Sequence, residues 1–76
     1  MKHFRISGSK KLTMFYDLNE DSKIVAKIPN NSIIKVLDDT IYYRDTIRNE
    51  PMRKVKYGVN IGYIIADSLI DLKGGL

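Results

Sequence analysis

Ile24-Val25-Ala26-Lys27-Ile28, then Pro29-Asn30-Asn31-Ser32, then Ile33-Ile34-Lys35-Val36-Leu37: the reading of this stretch decides the fold. Two runs rich in β-branched residues, each too short for a stable helix, flank four residues with physical reasons to turn. Proline fixes its own φ, and asparagine tolerates the left-handed region or bonds its own backbone. The pattern predicts two strands joined by a tight turn.

Working outward, the same grammar repeats. Thr40-Ile41-Tyr42-Tyr43, Val55-Lys56-Tyr57 and Gly62-Tyr63-Ile64-Ile65 read as further short strands, and Gly58-Val59-Asn60-Ile61-Gly62 reads as a tight hairpin. No long window keeps apolar residues at the spacing a helix needs. With 76 residues there is room for one domain and one thin core. The expectation is therefore all-β, a small SH3-like barrel of five or more short strands, with Ile24, Ile28, Ile34, Val36, Val55 and Ile64 in its core. Residues 1–11 read as a basic N-terminal arm or an edge strand, 12–72 as the barrel, and 73–76 (Lys73-Gly74-Gly75-Leu76) as a flexible tail.

Composition removes several function classes. Without cysteine there are no disulfides, thiolate nucleophiles or cysteine metal sites, and a lone histidine, His3, cannot build a multi-histidine centre. No stretch approaches the roughly 20 apolar residues of a membrane span. The charged start MKHFRISGSKK lacks the apolar core of a secretory signal, which predicts a cytoplasmic protein if Met1 is the native start and a wall-associated one if the chain is an excised domain. Asp38-Asp39 reads as a turn and Glu20-Asp21-Ser22 as a solvated loop, and no phosphate-cradling glycine loop precedes a helix. The expectation is no enzyme, no cofactor and no metal. A formal charge of +4 is unevenly spread: +4 over residues 1–16, −2 over 17–39, +3 over 40–56 and −1 over the rest. Such a surface attracts anionic partners.

Residues 12–37 and 53–69 together resemble the bacterial SH3 domains. The opening Leu12-Thr13-Met14-Phe15-Tyr16 leads through a loop to Ser22-Lys23-Ile24-Val25, a serine-lysine-hydrophobic step. The strand pair of residues 26–37 follows, and Arg53-Lys54-Val55-Lys56-Tyr57 closes on Gly62-Tyr63-Ile64. Met52 stands nearest to where the family usually has a tryptophan, and the connection from Asp38 to Pro51 is longer than usual. The resemblance implies a barrel with a shallow groove, lined in part by Tyr63, and targeting to cell wall.

Aromatic and basic side chains define the expected site. Phe15 and Tyr16 fall in the first loop, Tyr42 and Tyr43 in the extended connection, and Tyr63 in a closing strand; flat apolar faces with polar rims suit peptide ligands. Neighbours in a strand point to opposite faces, so in each adjacent aromatic pair one ring is expected in the core and the other exposed. Arg44, Arg48 and Arg53 are expected to form a basic rim. The leading expectation is a non-catalytic module binding a peptide, a cell-wall peptide or a protein partner. One alternative is a nucleic-acid-binding small barrel that uses the basic cluster 44–56. Another is a small inhibitor of a host protein, encoded by a phage or mobile element.

Overall fold

A computed structural model describes residues 2–6, 11–66 and 69–71, and the expected tail at 73–76 lies outside them. The strands are β1 (Lys2–Ile6), β2 (Leu12–Phe15), β3 (Ile24–Ile28), β4 (Ile33–Val36), β5 (Tyr42–Tyr43), β6 (Pro51–Tyr57), β7 (Asn60–Ile65) and β8 (Leu69–Asp71). No α-helix occurs among the described residues. The fold is all-β: one antiparallel sheet in the order β3-β2-β7-β6-β4-β1-β8, with β5 also paired to β6. The stretch read as an arm or edge strand contains β1, which lies inside the sheet between β4 and β8.

The sheet curls over its own core without closing. Ile6, Met14, Ile28, Ile34, Val36, Val55 and Ile64 form one buried cluster, although they come from six different strands. Strands about 4.8 Å apart in a flat sheet could not bring their side chains together, so the sheet must curl. β3 and β8 at its two ends are not paired with each other, which makes this a small SH3-like barrel with an open seam.

Turn chemistry sets the register. Ser32 N–H donates to the Pro29 carbonyl at 3.3 Å, and Asn31 sits at φ 68°, as the expected turn requires. The hairpin is tighter than the sequence implied. Tyr57 pairs with Asn60, so the loop is only Gly58 and Val59, and Gly58 at φ 61° occupies the first central position of a type II′ turn. Gly62 is therefore not a turn residue. A Cβ there would run into the Phe15 carbonyl oxygen and come within 3.0 Å of Met14 Cγ, so this glycine lets β2 lie close against β7.

One expected core residue is not in the core. Ile24 is 51% exposed. The β2–β3 register shifts between Met14, paired with Ala26, and Phe15, paired with Ile24, which leaves Val25 as an extra bulged residue. A bulge breaks strand parity. Val25 and Ala26 both pack against the core, and Ile24 comes out beside Phe15. Core residues the sequence reading omitted are Ile6, Met14 and Met52.

Candidate functional site

β6 carries two buried apolar residues, and they serve different faces. Val55 pairs with Val36 in the core, whereas Met52, three residues away, has opposite parity and lies outside the main cluster. Met52 pairs with Tyr42 on one side and Ile65 on the other. On the same outward parity Lys54 pairs with Tyr63, Tyr63 with Phe15, and Phe15 with Ile24. A row of Ile24, Phe15 and Tyr63 thus runs across β3, β2 and β7. Tyr42 meets it from β5, its ring edge-on to Tyr63 at 5.2 Å between centroids and 71° between planes. Such a pair contributes about 0.5–1.5 kcal/mol beyond its area.

Two loops frame this aromatic cluster, and Arg44 ties them together. Its guanidinium lies 4.0 Å from the centroid of Phe15, donates to the Glu20 carbonyl at 3.1 Å, and pairs with the Glu50 carboxylate at 3.9 Å. Asp45 N–H donates to the Leu18 carbonyl at 2.7 Å, and Asn19 and Asp45 form a β-bridge. The first loop is itself organised by side chains. Asp17 accepts from Asn19 N–H and Ser22 Oγ from Asp17 N–H, both at 2.9 Å. Between the loops lies an open depression of ≈ 450 Å³ lined by Glu20, Arg44, Thr46, Ile47, Arg48 and Glu50. Arg44 Nε and Thr46 Oγ1 are buried there without a hydrogen-bond partner, and Ile47 is 99% exposed.

Of the eight expected site residues, Phe15, Tyr42, Tyr63 and Arg44 come together. Tyr16 is exposed beside them, with Lys23 Nζ 4.5 Å from its ring centroid. Tyr43 is exposed and has the opposite strand parity to Tyr42, but neither Tyr42 nor Phe15 enters the core cluster as expected, because both lie on the outer face of the sheet. Arg48 borders the depression and is exposed. Arg53 pairs with Ile64 on the core side of β6 and donates to the Asp38 carbonyl at 3.1 Å, away from Arg44. The basic cluster 44–56 is accordingly not one surface.

Asp38 organises the corner between β4 and β5. Its carboxylate accepts from Thr40 N–H at 3.0 Å and from Tyr42 Oη at 2.8 Å. The hydrogen bond to Asp38 raises the Tyr42 phenol above its ordinary value, with desolvation and the nearby negative charge adding to it. Sequence reading missed Ile24 and Ile47. Ile24 was hidden by the bulge. Ile47 was legible as a lone isoleucine in a run of turn-forming residues, Asp45-Thr46-Ile47-Arg48-Asn49.

Among the described residues no group of three or more His, Cys, Asp or Glu could hold a metal ion, and no helix is long and apolar enough to cross a membrane. Compared with protein-family models, curated proteins and solved structures, the chain matches none.

Proposed function

We propose that this protein is a non-catalytic binding module that holds an extended peptide or a segment of a protein partner against Phe15, Tyr42 and Tyr63. The observation that carries this reading is the Tyr42–Tyr63 pair, in register with Phe15 and framed by two loops fixed to each other through Arg44. Rigid aromatic rings give large contact area at low entropic cost, and a site held by both loops and sheet is formed before the ligand arrives. Ile24 extends the apolar row, and Ile47 with Arg48 offers a second contact across the depression. The resemblance to bacterial SH3 domains supports the same end of the molecule, because Tyr63 sits in the matching Gly-Tyr-hydrophobic step.

Selection of a displayed random-peptide library on the protein, with purified bacterial wall as a parallel arm, tests the reading. Selected peptides, or wall, should bind the parent and lose about tenfold or more in affinity with Tyr63→Ala, while Tyr43→Ala binds normally. Circular dichroism checks that each variant is folded. Ligands that bind folded Tyr63→Ala as tightly as the parent would refute the site.

A further inference from the structure

Among the described residues charge is unevenly divided between strands and connections, and of the strands only β8 carries an acid, Asp71. Strands β1 to β7 contain Lys2, Arg5, Lys27, Lys35, Arg53, Lys54 and Lys56 and not one aspartate or glutamate. The carboxylates of Asp17, Glu20, Asp21, Asp38, Asp39, Asp45 and Glu50 all lie in connections between strands. The loops around the aromatic cluster are therefore mixed or acidic, and the cationic surface lies elsewhere.

Register shows where. The Val36–Val55 pair faces the core, so the next pair, Lys35 and Lys56, faces outward, and the two lysines are directly opposed. His3 pairs with Lys35 from β1, and Ile61 with Lys56 from β7. Two residues along, Lys54 stands on the same face as Lys56 and opposite Tyr63, and Arg5 pairs with exposed Ile33. Arg5, Lys35, Lys54 and Lys56 thus form one patch on three adjacent strands. Among the described residues none of the four has a carboxylate partner. Lysines commonly guard the edges of sheets, but β4 and β6 are interior strands, so that explanation does not apply. Directly opposed like charges weaken a sheet.

We infer that this outer face of β1, β4 and β6 is a binding surface for single-stranded nucleic acid. A chain with closely and regularly spaced negative charges relieves the Lys35–Lys56 repulsion, and Lys54 leads directly to Tyr63, against which a base can stack. An acidic peptide matches the charges but brings no flat base to the aromatic side.

Fluorescence anisotropy of a labelled oligothymidine, at about 50 and 200 mM salt, tests it. The parent should bind, and binding should weaken with salt. The triple variant Lys35→Gln, Lys54→Gln, Lys56→Gln should lose at least about tenfold in affinity at low salt. Its log–log salt slope should be shallower by about 2, as expected for three lost phosphate contacts. The corresponding triple lysine-to-arginine variant should retain binding. With like charges removed, the glutamine variant should melt no lower than the parent; if it is unfolded, Lys56→Glu at an exposed position carries the same test. Failure of the parent to bind at low salt, unchanged binding by a folded glutamine variant, or equally tight binding of polyglutamate would each overturn the inference.

Discussion

At the scale of single residues, two glycines and one tyrosine separate local from site effects. Gly58 has open space around it but lies at φ 61°, so Gly58→Ala should cost about 1–2 kcal/mol through the backbone alone and leave peptide binding unchanged. Gly62 has no such φ but no room, and its obstacle is the backbone of Phe15. Gly62→Ala should cost about 1–3 kcal/mol in urea unfolding and also weaken peptide binding, because β2 and Phe15 must move. A Gly62→Ala protein of parental stability would show that the β2–β7 approach is not tight. Tyr42 gives a pH signature. Its phenol is raised in the folded state, so the stabilisation from its bond to Asp38 is fully present below the ordinary phenol value and is lost as pH climbs through the raised one. The difference in tyrosinate absorbance between the parent and Tyr42→Phe isolates this titration, and Asp38→Asn should bring it down toward the ordinary value.

Strands and loops show what a sequence read alone can and cannot resolve. Ile24–Ile28, Ile33–Val36 and the Pro29–Ser32 turn were legible because β-branched runs and an asparagine-rich turn act locally. Five of the six expected core residues, Ile28, Ile34, Val36, Val55 and Ile64, are buried for the same reason. Ile24 failed because a bulge is set by pairing with β2, which strand parity alone does not reveal. β6 begins at Pro51 rather than Val55 because β5 returns to its edge after the Asp38 corner, again a long-range effect. In the site, the aromatics were legible as a class, and Arg44 and Arg48 do line one depression, but the separation of Arg53 from them was not legible, since it depends on which face β6 presents. The bulge makes a direct prediction: Ile28→Ala should cost about 2–5 kcal/mol, and Ile24→Ala about 1 kcal/mol or less. Equal costs in urea titrations would place Ile24 in the core after all. Arg44→Lys keeps the charge but loses the guanidinium contact over Phe15 and its simultaneous reach to the Glu20 carbonyl and the Glu50 carboxylate, so hydrogen exchange at the Asp45 amide should accelerate.

The whole molecule is a thin barrel in which β1 to β7 carry basic side chains and no acids, while the connections between them carry both signs, with an aromatic cluster where the two meet. For 76 residues the ordinary range implies a total stability of about 4–11 kcal/mol, so one core cavity removes a large share of it. A binding variant must therefore be shown to be folded before its affinity is interpreted. The binding claim itself rests on the surface formed by Phe15, Tyr42 and Tyr63. The most direct measurement is a nitrogen–proton NMR titration of the labelled protein with a library-selected peptide. The account predicts that the largest amide shifts fall at Phe15, Tyr42, Tyr63 and the flanking residues Arg44 to Arg48, with Gly58 and Val59 at the far hairpin unmoved. Saturable shifts concentrated at that hairpin or on β1, with Phe15, Tyr42 and Tyr63 unchanged, would contradict it.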